Sequence, residues 1–321
     1  MTRRSYTAFG LRIDSDVELL EFDASPPGSP DVVVRVGAPP ASGNGRGEVR
    51  AVAGGVLAAR VDGGSEIVVE PADGVDPGFL SAVITGELFS VVLRQRGSLV
   101  LHGSGVARDG LAVGFIGDSG WGKSTLAASL IARGWRLLTD DLLVVGGLSS
   151  AVRQRGEADA SGDGATGEAP VAVPSHGSMR LSEEAASATA SASRSAGQAH
   201  ELTTKVRVDR SDAFDDRPTP LRALFVLEPW RSEAHQAVPL STRDATAQFI
   251  AHTRAQKLLY APAAKLAHLA RCADLSRRVP TFGLRRLHGL DEIESLCDVV
   301  EGALESVLGA DERASLRTPN G

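Results

Sequence analysis

At 321 residues, 42% hydrophobic and 23% charged, the chain has the composition of a globular protein with one large or two ordinary domains. A net charge of −6 argues against a general nucleic-acid binder, whose affinity comes from neutralising phosphates. The two cysteines, Cys272 and Cys297, read as buried free thiols rather than as zinc ligands.

The start, "MTRRSYTAFGLRIDSD", has basic residues but no apolar run behind them, so no signal peptide is expected. "LFSVVLRQRGSLVL" is cut by arginines well short of about 18 residues, so no membrane span is expected. Together these features predict a cytoplasmic protein. Residues 1–76 read as short strands between turns: "YTAFGLRI", "PDVVVRVG", "GGVLAARVD" and "SEIVVEPA". They make a β-rich N-terminal module without a catalytic constellation.

From Pro77 the apolar period becomes helical, through Leu80, Val83, Ile84, Leu88 and Val91, and it stops at Gly97. A strand follows in "SLVLHGSGVARDG", then a turn at Asp109-Gly110 and a second strand in "LAVGFIG". A glycine loop leads into the helix "KSTLAASLIARG", which ends at Gly134. "WRLLTDDLLVV" reads as strand, aspartates, strand.

Residues 149–200 are rich in Ala, Ser and Gly and poor in large apolar groups, which predicts a disordered insertion around one ordered island, "VPSHGSMRLS". Strands return in "ELTTKVRVD" and "LRALFVLEPW". The C-terminal part is helical by period in "DATAQFIAHTRAQKLL", "PAAKLAHLARCADLSRRV" and "LDEIESLCDVVEGALESVLG", with a strand in "PTFGLRRL". This part is locally basic, from Arg254 and Lys257 through Lys265 and Arg271 to Arg285 and Arg286, which reads as a solvated face or as an attractor of an acidic peptide. Residues 311–321 read as a frayed tail.

"GDSGWGKS", Gly117–Ser124, matches the phosphate-loop pattern in full and sits between an apolar strand and a helix. Gly117, Gly120 and Gly122 let the backbone turn tightly, so that N–H groups of Asp118, Ser119 and Trp121 converge on phosphate oxygens. The helix beginning at Lys123 adds its positive end. Lys123 is placed to reach the outer phosphates of ATP, with Ser124 in a Mg²⁺ shell and Thr125 next to it. Asp140 and Asp141 follow at a strand end, where ligands of α/β sheets collect. One carboxylate can hold the metal and the other can take a proton from an attacking hydroxyl. His102, on the strand before the loop strand, reads either as a core histidine or as a group that orients an aspartate or ligates a metal.

The run "LHGSGVARDGLAVGFIGDSGWGKSTLAASLIARGWRLLTDDLLVV" closely resembles the HPr serine kinase/phosphorylase family, whose core is shared with phosphoenolpyruvate carboxykinase. The likeness is looser in "VPSHGSMRLS", "TTKVRV", "LRALFVLEP" and "RRVPTFGLRRL". There, as in "FGLRIDSDVEL", the chain is similar to stand-alone kinases of that group, some of which phosphorylate a ribosomal-peptide precursor.

The resemblance implies an α/β fold with a carboxykinase-like P-loop core over residues 77–310 and a helical C-terminal part. It implies Asp140 as general base, Asp141 as the metal-linked carboxylate, His102 beside the pair, and Lys205 and Arg207 near the phosphates. Its glycine-rich phosphorylase signature has no clear equivalent here, so the resemblance leaves reverse phosphorylase activity, and HPr as substrate, open.

The expected function is ATP- and Mg²⁺-dependent phosphoryl transfer to a hydroxyl, a serine for preference, on a protein or peptide. A kinase of a small hydroxylated metabolite and a non-catalytic nucleotide-binding module are the alternatives. HPr kinases form hexamers, so self-association is a further expectation.

Overall fold

The structure, a computed structural model, describes residues 3–39, 49–53, 57–148, 169–189, 195–198, 205–229, 232–258, 261–287, 289–310 and 312. Of the insertion expected over 149–200, residues 149–168, 190–194, 199 and 200 lie outside these residues, as does the tail expected over 311–321 apart from Glu312.

Seven short strands come first: β1 (Arg4–Ala8), β2 (Leu11–Ser15), β3 (Asp23–Ala24), β4 (Val32–Val36), β5 (Val49–Ala53), β6 (Leu57–Asp62) and β7 (Glu66–Pro71). They form one sheet in the order β3-β1-β2-β4-β7-β6-β5. Its inner face carries Tyr6, Ala8, Ile13, Val32, Val34, Ile67 and Val69. These alternate along their strands, as a half-buried sheet requires.

That face packs on the helix Pro77–Gln95, which consists of α1 (Pro77–Ala82), a π-helical segment (Val83–Leu88) and α2 (Phe89–Gln95). The Asp76 side chain caps it by accepting from the Phe79 N–H at 2.6 Å, and Pro77 stands where a missing N–H costs nothing. By length and composition this helix could cross a bilayer, which the arginine-cut reading of the sequence passed over. Its apolar window is 78% buried inside the protein, between the first sheet and Val100, Leu142 and Val144 of the second.

The second sheet begins with β8 (Leu99–Arg108) and β9 (Leu111–Ile116). The helix α3 (Lys123–Ala132) follows, then β10 (Arg136–Thr139) and β11 (Leu142–Gly146). Next come β12 (Val171–Val173), β13 (Ser178–Ser182), α4 (Glu183–Ala188), β14 (Ser195–Gln198), β15 (Lys205–Asp209) and β16 (Thr219–Leu227). β17 (Gln236–Pro239), α5 (Thr242–Ala251), α6 (Pro262–Arg278), β18 (Thr281–Arg285) and α7 (Ile293–Val307) complete the chain.

The path of the eight-stranded sheet is β10-β8-β11-β12-β16-β18-β17, with β9 paired to β8 and β16. It is mixed: β9–β16 and β16–β18 are parallel, while β8–β9, β8–β10 and β8–β11 are antiparallel. Period-2 alternation splits its side chains between two cores. Val113, Phe115 and Phe225 meet α3 and α7 on one face, while Ala112, Ile116, Leu224 and Val226 meet α5 and α6 on the other. Gly114 lets the two leucines pack closely, since an added Cβ would come within 2.6 Å of Leu143 Cδ2 and 2.7 Å of Leu224 Cδ2 and force them to shift.

The ordered island proves longer than "VPSHGSMRLS". β12 joins the large sheet, and β13 joins β14 and β15 in a sheet of three strands beside the loop helix. Met179 and Leu181 bury their side chains against α3.

One sequence expectation changes. The helix expected over "DATAQFIAHTRAQKLL" stops at Ala251, because β9 covers β8 only from Gly103 to Arg108. Residues 252–254 fill the uncovered edge: the His102 N–H donates to the His252 carbonyl at 2.7 Å and the Arg254 N–H to the Val100 carbonyl at 3.1 Å. Both cysteines are buried and free, as read, but Cys272 has a histidine one turn away. His268 Nε2 lies 3.5 Å from its sulfur and 2.7 Å from Thr253 Oγ1. Among the described residues no group of three or more His, Cys, Asp or Glu could hold a metal.

Candidate active site

The loop between β9 and α3 turns on glycines with positive φ at Gly117 (152°), Gly120 (83°) and Gly122 (84°). A Cβ at Gly120 would meet nothing within 4 Å, so its side faces open space, whereas one at Gly117 would crowd Leu227 and Trp121. Gly122 caps α3 in the left-handed region, which L residues avoid.

Lys123 is buried at 6% exposure and folds back under the loop. Its Nζ donates to the carbonyls of Gly117 at 2.9 Å and Asp118 at 2.8 Å. Burial pushes its pKa down to about 8, although the carboxylates of Asp140, Asp141 and Asp118 oppose the shift. Arg286 ties the loop to the sheet end, donating to the carbonyls of Trp121 and, at 2.8 Å, of Glu228. The Trp121 ring packs on the core beside α3.

The strand carrying the aspartates does not neighbour the loop strand. β8 lies between β9 and β11, and the aspartates sit in a tight turn that β8 itself braces. The Leu142 N–H donates to the Asp140 carbonyl at 2.9 Å, and the Gly103 N–H donates to the Asp141 carbonyl at 3.2 Å. Asp141 has φ 66°, a left-handed conformation that costs a non-glycine residue energy and that aspartate adopts more readily than most. The twist sends the two carboxylates to different partners.

Asp140 is 4% exposed. Its Oδ1 accepts from Ser104 Oγ at 2.7 Å and Ser124 Oγ at 2.8 Å, and its Oδ2 accepts from the Arg180 N–H at 2.9 Å. Asp141 is set in positive charge. Its Oδ1 lies 3.2 Å from His102 Nδ1, and its Oδ2 lies 2.9 Å from Arg180 Nη2 and 3.3 Å from Arg254 Nη2. Burial alone would raise its pKa, but Arg254, Arg180 and His102 together hold it well below the usual carboxylate range. The expectation had Asp141 in the metal shell with Ser124; the hydroxyl of Ser124 meets Asp140 instead.

These groups line one cavity of about 320 Å³. His102, Ser119, Gly120, Gly122, Lys123, Ser124, Thr125, Asp140 and Asp141 are on its wall; Gly117, Asp118 and Trp121 are not. Lys205 lines it as well, whereas Arg207 turns away to donate to the Leu20 carbonyl. Sequence reasoning missed Ser104, Arg180, His252 and Arg254. Ser104 sits two residues after His102 on the same face of β8, so period 2 could have found it. Arg180 lay inside the short ordered island, and Arg254 in the part of an expected helix that lies beyond its end at Ala251. His252 approaches Asp118 at 3.6 Å, and burial lowers its pKa, with Lys123 and His102 adding to the effect.

The donor set fits a polyphosphate with a divalent cation. The cavity wall carries an open glycine cradle and a buried amine, and its hydroxyl–carboxylate pair, Ser124 with Asp140, has the hard oxygens that Mg²⁺ takes. No protein-family model matches the chain, and no curated protein matches it. A solved structure of the Hpr(Ser) kinase/phosphatase from Coxiella burnetii is similar at a TM-score of 0.33 and 13% identity. The match covers 68% of this chain and 98% of that one. A likeness of that size carries no argument about chemistry.

Proposed function

We propose that this chain is a phosphotransferase that takes ATP with Mg²⁺ and moves the γ-phosphoryl group to a hydroxyl, a serine for preference, on a protein or peptide. The observation that carries the reading is the single cavity in which Lys123 and the Ser124–Asp140 pair stand opposite an arginine-clamped Asp141. The bound ion would neutralise phosphate charge and polarise the phosphorus.

Lys123, released from the loop carbonyls, binds phosphate oxygens as a point charge. Ser124 and Asp140 are the residues that would hold the cation. Asp141 accepts a hydrogen bond from the incoming hydroxyl, orients it, and takes its proton as the new O–P bond forms and the β–γ bridge breaks. Its low pKa keeps it ionised and suits an orienting acceptor, to which the proton passes late. His102 holds the other side of that carboxylate. Arg180 and Arg254 offset the charge that gathers on the transferring group.

The test is incubation with γ-labelled ATP and Mg²⁺ and candidate peptides, with mass spectrometry to locate added phosphate. Phosphoserine that disappears with Asp141→Asn supports the reading. ATP binding without transfer to any peptide, metabolite or water overturns it.

A further inference from the structure

Beside the two aspartates lies a second, smaller space of about 20 Å³, too small for a substrate. It is lined by Asp140, Asp141, Arg180 and Arg207, and by one acidic residue from the N-terminal sheet, Glu21. Glu21 lies between β2 and β3 and is 7% exposed. Its Oε2 accepts from Ser81 Oγ and, at 3.2 Å, from Thr85 Oγ1, both on the helix Pro77–Gln95.

The backbone around Glu21 is tied to the site on several sides. Arg207 donates to the Leu20 carbonyl, Ser178 Oγ to the Glu21 carbonyl at 3.5 Å, and the Gly177 N–H to Asp23 Oδ2 at 3.3 Å. The Leu20 N–H in turn donates to Ser81 Oγ at 2.8 Å.

A carboxylate buried this far is costly unless positive charge compensates it, and two hydroxyl donors are not enough. The compensation comes from the site itself. On this space the carboxylates of Asp140, Asp141 and Glu21 stand with the guanidiniums of Arg180 and Arg207, and Arg254 reaches Asp141 at 3.3 Å from the neighbouring cavity. His176, the remaining titratable side chain on this space, is pushed down to about 4 by burial and stays neutral, so the arginines face carboxylates alone.

We propose that Glu21 is a positioning residue for phosphoryl transfer: its charge anchors the back of Arg180, and Arg180 in turn fixes Asp140 through its N–H and Asp141 through its guanidinium. The N-terminal sheet is then part of the catalytic apparatus rather than a separate docking module. The proposal rests on the phosphotransferase reading.

The experiment compares Glu21→Gln, which keeps the acceptor oxygen but loses the charge, with Ser81→Ala, which breaks the same hydrogen bond but keeps the charge. Glu21→Gln is expected to lower kcat about tenfold with the KM for nucleotide unchanged, while Ser81→Ala lowers Tm and leaves kcat within about twofold. Glu21→Asp is expected to restore part of kcat. A wild-type kcat in Glu21→Gln, or an equal fall in both variants, overturns the proposal.

A second readout does not need turnover. The guanidinium proton resonances of Arg180, assigned with Arg180→Lys, are expected to shift and exchange faster with water in Glu21→Gln only. Unchanged resonances overturn the proposal. A wild type that transfers phosphate to nothing refutes the phosphotransferase reading, and the resonance comparison still decides the role of Glu21.

Discussion

Seating a polyphosphate on the loop should draw a proton onto Lys123. In the free protein the amine is buried under Gly117 and Asp118 with a pKa of about 8, down from 10.5. That depression corresponds to about 3 kcal/mol by which the charged amine is disfavoured where it lies. Phosphate oxygens supply the missing negative charge, and the pKa returns towards its ordinary value. The amine is then about half protonated in the free state at pH 8 and fully protonated in the complex. Binding therefore takes up ~0.1 proton at pH 7, ~0.5 at pH 8 and ~0.9 at pH 9, and the affinity falls about tenfold between pH 7 and 9.

Calorimetry of Mg·ADP binding in buffers of different ionisation enthalpy measures this uptake directly. Lys123→Ala should bind more weakly and show none. Zero uptake by the wild type at pH 8–9, or equal uptake by Lys123→Ala, would refute the reasoning. The folding linkage has the same origin. Between about pH 8 and 10.5 the unfolded chain binds more protons at this site than the folded one, so the contribution of Lys123 to stability rises with pH across that window.

Asp140→Asn should remove the Mg²⁺ dependence of nucleotide binding, because it neutralises the carboxylate that meets Ser124. One of its two oxygens becomes a donor facing Ser104 and Ser124 or the Arg180 N–H, at a cost to stability of about 1.5–3 kcal/mol, read by thermal unfolding. Unchanged Mg²⁺ dependence would remove Asp140 from the metal side. Asp141→Asn should lower kcat by about 10²–10⁴ with nucleotide affinity within about threefold, measured by initial rates and direct binding. Gly114→Ala should lose about 1–3 kcal/mol by forcing a methyl against Leu143 and Leu224, visible as a lower denaturant midpoint with unchanged slope.

The glycine loop was legible because its geometry is local. Glycines needed for positive φ, a helix start and a lysine must be consecutive, so they leave a mark at fixed spacing. The strands of the first sheet were legible for the same reason, since period 2 is a property of neighbours, and β8 and β9 were legible as short apolar runs on either side of the Asp109-Gly110 turn. The aspartate pair was visible as a pair, but its division of labour was not. That division depends on the φ of Asp141 and on which strand edge supplies Ser104, His102 and the Gly103 N–H. The helix break at Ala251 was invisible because its cause is an uncovered edge of β8, about 150 residues away in sequence.

By itself, then, the sequence determined a glycine loop leading into a helix, the strands around it and the presence of two carboxylates. Only the tertiary structure decided which carboxylate meets the Ser124 hydroxyl and which is clamped by arginines. It also decided that Glu21, Arg180 and Arg254, from three separate parts of the chain, share one charge balance. Backbone conformations are set within a few residues, whereas compensating a buried charge requires groups that only folding brings within hydrogen-bond distance.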